Sequence, residues 1–277
     1  MGKIYLVPTP IGNLKDITLR ALEVLESCDI VAAEDTRQSL KLLNHFNIKK
    51  PLISYHQHNE ETKSEELIRR ANMGEVIAVV SDAGSPGISD PGAVIVRKCI
   101  DQGVEFEVLP GAVALTTALI YSGLDTTKFL FRGFLPRENK DKIKVIEDIK
   151  EAKETLIFYE APHRLLQTLG FLKDKLGDRR AAIGRELTKL HEEILRGTLG
   201  ELILHYEELS PRGEYVVLVE GKSMEAIKEE QEALWKDLTI EQHIERYIEE
   251  GLSKKDAIKK VAKDRSMQKS EVYKYTI

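Results

Sequence analysis

The chain has 277 residues, of which 42% are hydrophobic and 31% charged, and its formal net charge is -5. This length can bury a sizeable core and is sufficient for two domains, whereas no apolar run approaches the roughly 20 residues that a membrane-spanning helix requires. The N-terminus lacks the charged and then apolar pattern of a signal peptide, and the acidic charge argues against a protein that coats nucleic acid over its whole surface. A cytoplasmic, multidomain soluble protein is therefore expected.

The first 115 residues predict alternating strands and helices. Strands are expected in four apolar runs that end in turn-forming or polar residues, namely 4–7, 29–33, 76–80 and 104–109. A helix is predicted after the first strand, where apolar residues from Leu14 to Leu25 recur at near-helical spacing and Asp16 or Thr18 offers an N-cap. Strands that alternate with helices indicate a mostly parallel sheet. Residues 1–115 are accordingly predicted to form an N-terminal α/β domain.

Residues 116–221 continue this alternation without repeating the sequence, which predicts a second α/β domain. Its strands are expected at 155–159, 180–184 and 215–219, and the segment FLFRGFLPR at 129–137 is interpreted as a connection between the domains. Residues 222–277 are predicted to form an exposed linker helix and a small helical appendage. Residues 251–277 contain eight Lys and Arg against three Asp and Glu, an excess of five positive charges, so a polyanionic partner is expected at this end.

Polar or glycine-rich loops follow the predicted strands. The loop SDAGSPGISDPG at 81–92 contains three glycines and two prolines, which would let its backbone approach a small ligand closely. Other strands end in PTPIGN, EDTR, PG, EAPHR and GREL. Because ligands bind beyond the carboxyl ends of strands in open parallel sheets, these loops are expected to line one cleft shared by both domains.

Three common kinds of site are not indicated by the sequence. The dinucleotide motif GxGxxG is absent after the first strand, and the P-loop motif GxxxxGK[S/T] is absent from the chain. Cys28 and Cys99 are far apart and lack metal-like spacing with the histidines, so they are interpreted as buried apolar residues. No metal site is predicted.

Eight motifs are spread in order over nearly the whole chain. They are VPTPIGNL at 7–14, AAEDTR at 32–37, SDAGSPGISDPG at 81–92, PGAVALTTAL at 110–119, FRGFLPR at 131–137, FYEAPHR at 158–164, GRELTKLHEE at 184–193 and GEYVVLVEG at 213–221. Together they resemble the ribosomal RNA small subunit methyltransferase I family of the tetrapyrrole methylase superfamily. The resemblance implies an S-adenosylmethionine-dependent enzyme that methylates the ribose 2′-hydroxyl of a cytidine in 16S ribosomal RNA. It also implies two α/β domains with the cofactor in the cleft between them, and a homodimer.

The same resemblance implies the cofactor-binding residues, each carried onto its matching motif position. These are Pro10, Asp82, Gly84, Ser85, Val113, Ala114, Glu160, Ala161 and Leu187. The chain departs from its relatives at 110–114, where PGAVA replaces the common PGPSA, so a rigid proline and a hydroxyl are lost. The PTPIGN loop also replaces the glycine-rich first loop of tetrapyrrole-modifying relatives, which favours RNA over a corrinoid substrate.

Methyl transfer from a sulfonium group requires mainly that the acceptor oxygen lie in line with the methyl carbon, at about 3–3.5 Å. Because the 2′-hydroxyl is a weak acid, a nearby base or cation would help. The candidates are Arg37 to grip a phosphate, Lys189 to stabilise the forming alkoxide and Glu186 to accept the proton. An alternative stays open for each candidate. Arg37 could form only a salt-bridged turn with Glu34 and Asp35. Glu186 and Lys189 are three residues apart and could simply pair with each other.

RNA contact is predicted at two basic segments. Arg132 and Arg137 lie among Phe129, Phe131 and Phe134, so phosphate contact and base stacking could occur together, unless these phenylalanines are core residues. The second segment resembles a helix-turn-helix appendage of the family, and RNA contact is expected through Lys254, Lys255, Lys259 and Lys260.

Two other functions stay open from the sequence. The first is an S-adenosylmethionine-dependent methyltransferase that acts on a tetrapyrrole or another small molecule, against which the basic appendage argues. The second is a cofactor-dependent RNA-binding module without catalysis, because the chemistry requires no nucleophilic side chain. Small-subunit ribosomal RNA is the favoured substrate.

Overall fold

The computed structural model describes residues 2–276, so residues 1 and 277, the ends of the first and third predicted domains, lie outside it. The chain divides into two compact units, Met1–Gly221 and Lys222–Ile277, here called the first and second unit. None of the helices within residues 2–276 is long and apolar enough to cross a membrane. The predicted division of the first unit near residue 115 stays a prediction.

The N-terminal half of the first unit is built on a parallel sheet. Its strands are β1 (Lys3–Leu6), β2 (Ile30–Ala33), β3 (Leu52–Ser54), β4 (Val76–Val80) and β5 (Phe106–Val108). All five run parallel in the order β3-β2-β4-β1-β5, with helices on both faces. Strand β4 is central and reads VIAVV, with four of its five residues buried, as expected for a strand covered on both sides. The predicted parallel sheet is confirmed in this half.

Four helices connect these strands: α1 (Leu19–Ser27), α2 (Thr36–His45), α3 (Glu60–Asn72) and α4 (Ala93–Gln102). The first helix begins at Leu19 because the Thr18 hydroxyl accepts a hydrogen bond from the amide of Ala21, at 3.0 Å. Residues Leu14–Asp16 form a separate 3-10 turn capped by Asn13. The helical pattern predicted from Leu14 is therefore correct from Leu19 onward and wrong before it.

The other half of the first unit is built on a mixed sheet. Its strands are β6 (Phe129–Phe134), β7 (Thr155–Glu160), β8 (Arg180–Arg185), β9 (Glu193–Thr198) and β10 (Tyr215–Val219), in the order β6-β7-β10-β8-β9. Only β6 and β7 are parallel, whereas β10 runs antiparallel to both β7 and β8, and β8 runs antiparallel to β9. The second α/β domain predicted here thus has a mixed rather than a parallel sheet. The interpretation of FLFRGFLPR as an interdomain connection is wrong, because its first six residues form edge strand β6.

Helices α5 (Ala114–Ser122), α6 (Asn139–Ile149), α7 (Leu165–Leu176) and α8 (Leu199–Glu208) cover the two faces of this sheet. Alternating residues of the central strands point to opposite cores. Val217 contributes to the core that includes α7 and α8, and Leu218 to the core beneath α5. Because β10 is antiparallel to β7 and β8, its first residue, Tyr215, lies beside the last residues of those strands, at their carboxyl ends.

The second unit is helical, as predicted. Its helices are α9 (Met224–Ala233), α10 (Ile240–Glu249), α11 (Lys254–Asp264) and α12 (Lys269–Tyr273), followed by a 3-10 turn at Lys274–Thr276. Its small core contains Ile244, Ile258 and Val261, spaced as in the helical pattern of the sequence.

Candidate active site

A cleft of about 420 Å³ lies at the carboxyl ends of the parallel strands, between loops of the first unit's two sheets. The first sheet contributes Ile11, Glu34, residues 82–85 and residues 88–90. The second half contributes Val113, Ala114, Phe134, residues 159–162, Gly184, Leu187 and residues 214–216. The predicted convergence of the motif loops on one cleft therefore corresponds to a real cavity, of a size typical of small-ligand sites.

The glycine loop after β4 is fixed to the first loop of the chain. Thr9 and Gly84 exchange two backbone hydrogen bonds, at 2.9 and 3.0 Å. Gly84 has a φ of +85°, and a Cβ atom there would lie 3.2 Å from both the carbonyl oxygen of Ala112 and a methyl group of Ile11. A side chain would be strained at this position and would crowd the cleft wall, which explains the glycine.

Five acidic residues line the cleft: Glu34, Asp82, Asp90, Glu160 and Glu214. Burial, together with the charges of Asp90 and Asp82, raises the pKa of Glu34 to about 6. Burial, together with the charges of Asp82 and Glu214, likewise raises the pKa of Asp90 to about 6. Burial also raises the pKa of Asp82. No Lys, Arg or His residue lines this cleft within residues 2–276. The interior therefore favours a cationic ligand over an anionic one.

The loop after β8 carries two of the three predicted catalytic residues. Lys189 Nζ lies 3.0 Å from Glu186 Oε1 and 2.7 Å from Glu214 Oε2. Burial raises the pKa of Glu186, but hydrogen bonds from Lys189 and from the amide of Glu214 outweigh that effect, so the net pKa is lowered. Burial lowers the pKa of Lys189, whereas its two carboxylate partners raise it, with a net increase. The alternative of mutual pairing is thus what the structure contains, and neither side chain lines the cleft.

The same loop packs against the first loop of the chain. Glu186 and Thr188 both have positive φ values, +48° and +65°, which are uncommon for residues other than glycine. The Thr188 hydroxyl accepts a hydrogen bond from the amide of Asn13, at 3.0 Å. At Gly12, a Cβ atom would lie 2.5 Å from Lys189 Cγ and 2.9 Å from the carbonyl oxygen of Leu187. This close approach holds Leu187, which is buried and lines the cleft.

Arg37, the third predicted catalytic residue, lies outside the cleft lining. Its guanidinium group is 86% exposed and donates to both carboxylate oxygens of Asp35, at 3.0 and 2.7 Å. These hydrogen bonds, together with one from the Arg37 amide, lower the pKa of Asp35 to about 2. The salt-bridged turn, left open from the sequence, is present, and the Arg37 side chain is exposed to solvent.

Glu160 borders the cleft, but its carboxylate points into the protein. The side chain is 1% exposed and accepts hydrogen bonds from the Thr168 hydroxyl, at 2.5 Å, and from the amide of Ala161, at 2.8 Å. Arg164 Nε lies 3.5 Å away, while its Nη2 donates to the carbonyl oxygen of Leu135, at 2.7 Å. Glu160 therefore anchors Arg164 and the segment after β6.

Eight of the nine predicted cofactor-binding residues line the cleft: Asp82, Gly84, Ser85, Val113, Ala114, Glu160, Ala161 and Leu187. Pro10 does not; it is buried, and its neighbour Ile11 lines the cleft instead. Sequence reasoning missed Glu34, Asp90 and Glu214, although each stands within a motif that it singled out. Where PGAVA departs from the relatives, the Ser85 hydroxyl donates to the carbonyl oxygen of Ala112, at 3.2 Å.

The predicted RNA-binding residues are exposed. Arg132 lies 3.5 Å from Asp148, whereas Arg137 has no hydrogen-bond or ion-pair partner among the described residues. In the second unit, the four predicted lysines are exposed on α11, whose buried positions include Ala257 and Ile258. No group of three or more His, Cys, Asp or Glu residues within 2–276 is arranged to hold a metal ion.

Comparisons with known proteins agree with this architecture. Residues 3–203 match the family model of Tetrapyrrole (Corrin/Porphyrin) Methylases. A protein of Bacillus subtilis named ribosomal RNA small subunit methyltransferase I is 51% identical over 273 residues, which are 99% of this chain and 93% of the relative. A protein of the same name from Halalkalibacterium halodurans is 50% identical, covering 98% and 93% of the two chains. The solved uroporphyrin-III-C-methyltransferase of Thermus thermophilus superposes with a TM-score of 0.55 at 25% identity, covering 79% of this chain and 94% of its own.

Proposed function

Since the chain belongs to the ribosomal RNA small subunit methyltransferase I family, within the tetrapyrrole methylases, we propose that it methylates small-subunit ribosomal RNA. In detail, the proposed reaction transfers a methyl group from S-adenosylmethionine to the ribose 2′-hydroxyl of a cytidine in 16S ribosomal RNA. The observation that carries the proposal is the cleft, where eight of the nine expected cofactor positions line a single acidic cavity.

The residues of the cleft fit the chemistry of S-adenosylmethionine. Apolar walls formed by Ile11, Val113 and Leu187 suit an adenine ring, and the backbone near Gly84 leaves room for close approach. The cofactor carries a sulfonium and an ammonium group, for which the carboxylates of Asp82 and Asp90 supply compensating charge. When bound, it would supply an activated methyl group.

We assign Asp90, rather than Glu186, as the base that would accept the proton of the 2′-hydroxyl. The pKa of Glu186 is lowered by its hydrogen bonds, and its side chain lies outside the cleft lining. Asp90 lines the cleft, has no hydrogen-bond or ion-pair partner within residues 2–276, and has a pKa raised to about 6 by burial. A base with a pKa near the working pH is the more effective proton acceptor. Lys189 is assigned to holding Glu186 and Glu214.

RNA phosphates would contact exposed cations outside the cleft, because the acidic interior repels them. Arg37, Arg132 and Arg137 on the first unit are proposed for this role. On the second unit we assign it to the exposed lysines Lys254, Lys255, Lys259 and Lys260. A homodimer acting in the cytoplasm, where ribosomal subunits are assembled, completes the proposal.

The test is incubation of the purified protein with methyl-labelled S-adenosylmethionine and one of two acceptors, small ribosomal subunits lacking the modification or uroporphyrinogen. Label on the RNA alone supports the proposal. Label on the tetrapyrrole alone would show that the protein methylates a small molecule, as other members of its superfamily do. Cofactor binding without label on either acceptor would favour a non-catalytic RNA-binding module.

A further inference from the structure

The cleft has an exposed aromatic side chain at its edge that the assigned roles leave unused. Phe134 lines the cleft but is 53% exposed, although it is a large apolar residue. It ends edge strand β6, and its ring lies 5.8 Å from that of Tyr159, which also lines the cleft. An apolar ring that is half in water and half in a ligand cavity is available to a flat ligand.

The backbone around Phe134 is built to place this ring. The register of β6 against β7 shifts between Phe131 and Phe134, and Gly133 between them has a φ of +60°. Irregularities of this kind redirect a side chain, and they are frequent beside active sites. After Phe134, Arg164 donates hydrogen bonds to the carbonyl oxygens of Leu135 and Pro136, at 2.7 and 3.4 Å. The backbone before and after Phe134 in the sequence thus holds its ring in position.

The glycine loop lines the same cleft and approaches β6 beside Phe134. Ile88 lines the cleft and is 49% exposed, and the nearest atom to a Cβ built on Gly133 is the hydroxyl oxygen of Ser89, at 4.0 Å. Two exposed apolar side chains, Ile88 and Phe134, therefore border a cavity whose interior is acidic. A phosphate would be repelled from that interior, whereas an uncharged nucleobase would not.

A cation with no hydrogen-bond or ion-pair partner within residues 2–276 follows at short range. Arg137 is three residues beyond Phe134, a span of at most about 11 Å of extended chain. It can hold a phosphate outside the cleft while the attached base lies on the ring. Stacking of a base on an aromatic side chain, with its phosphate held by a nearby cation, is the usual way in which proteins bind single-stranded RNA.

Resting on the proposed function, we propose that Phe134 is a positioning residue for the RNA, on which the base of the target nucleotide stacks after leaving its own stack. The ring holds the pyrimidine between Phe134 and Ile88, so that the attached ribose enters the acidic cavity and the adjoining phosphate stays at Arg137.

The test compares two exposed phenylalanines of one strand. Phe134→Ala is expected to raise the KM for small-subunit RNA about tenfold, while the Kd of S-adenosylmethionine, measured by calorimetry, changes less than twofold. Phe129→Ala, at the other end of β6 and 41% exposed, is expected to leave both values unchanged. Phe134→Tyr should restore the KM, whereas Phe134→Leu, which keeps apolar bulk without a ring, should not. An unchanged KM in Phe134→Ala, or full restoration by Phe134→Leu, would overturn the proposal.

A binding measurement separates this proposal from the proposed reaction. In Phe134→Trp, stacking should quench the new indole fluorescence when 16S ribosomal RNA is added, whereas Phe129→Trp should show no quenching. Quenching without methyl transfer in the wild-type protein would remove the proposed reaction and leave the stacking site standing. No quenching in a protein that does methylate RNA would remove the stacking site alone.

Discussion

Gly12 allows the first loop to lie against the loop after β8, and substitution by alanine should separate them. The added Cβ would lie 2.5 Å from Lys189 Cγ, 2.7 Å from the Thr188 hydroxyl and 2.9 Å from the carbonyl oxygen of Leu187. The lysine side chain can move at little cost, but the carbonyl belongs to a backbone segment in which Thr188 already has a φ of +65°. We expect Gly12→Ala to destabilise the first unit by about 1–3 kcal/mol, as overpacking generally does.

The measurement is thermal unfolding of the full chain, followed by titration with S-adenosylmethionine. A loss of 1–3 kcal/mol corresponds to a fall of about 2–12 °C in the unfolding temperature for a unit of this size. Because Leu187 lines the cleft, its displacement should also weaken cofactor binding by about threefold to tenfold, or about 1 kcal/mol.

Gly170 provides the matched control. It lies inside helix α7, where a Cβ atom would meet no other atom within 4 Å. Gly170→Ala should stabilise the protein by about 0.5–1 kcal/mol and leave cofactor binding unchanged. If Gly12→Ala unfolded at the wild-type temperature and bound the cofactor equally well, the assigned contact between the two loops would be refuted.

Three further changes have expected outcomes. Glu34 and Asp90, each with a pKa of about 6, must be ionised to hold a cationic cofactor. The affinity for S-adenosylmethionine should therefore fall about threefold to tenfold from pH 7 to pH 5, after allowance for solvent screening. An affinity that stays constant over this range would contradict the expectation. Arg164→Ala removes the cation beside the buried Glu160 carboxylate and should cost roughly 3 kcal/mol in chemical denaturation, whereas a loss below about 1 kcal/mol would show that the pair is not needed. Burial, followed by the charge of Arg265, lowers the pKa of His243, so the folded chain binds a proton at His243 less readily than the unfolded chain does. The protein should therefore lose stability as the pH falls below 6.5. An NMR titration midpoint of His243 at or above 6.5 would contradict this.

The strands predicted most accurately are those whose sequence is continuously apolar and β-branched. VIAVV at β4 and YVVLV at β10 were both located to the residue, because central strands covered on two faces contain no polar interruption. Strand direction did not follow from the same pattern. The antiparallel pairing of β10 with its neighbours depends on contacts between distant segments, which local apolar runs do not encode.

Two of the three missed strands, β6 and β9, have the opposite character, whereas the third, β3, spans only Leu52–Ser54. FLFRGF at β6 is interrupted by an arginine and a glycine, because it is an edge strand with an irregular register. EILRGT at β9 is diluted by charged residues for the same positional reason, since β9 is the other edge of its sheet. Their polar residues indicate that these strands are exposed at the edge of the sheet, not that a strand is absent.

The motifs located the cleft, but they did not determine which way their side chains point. Glu160 and Glu186 stand in prominent motifs, yet each carboxylate is held by protein hydrogen bonds rather than presented to the cavity. Asp90 and Glu34 stand in equally prominent motifs, and they line the cleft. The difference depends on partners from other segments, such as Thr168 for Glu160 and Lys189 for Glu186, which spacing along the chain does not reveal.

The position of the transferred methyl group distinguishes ribose methylation of ribosomal RNA from every alternative. Small ribosomal subunits lacking the modification are incubated with the protein and methyl-labelled S-adenosylmethionine, and the 16S ribosomal RNA is then digested and analysed by mass spectrometry to the nucleotide and the atom. We expect one labelled cytidine with the methyl group on its ribose 2′-oxygen, and no label with the Asp90→Asn variant. Label on a base nitrogen or carbon, or on no RNA while the cofactor binds normally, would contradict this expectation.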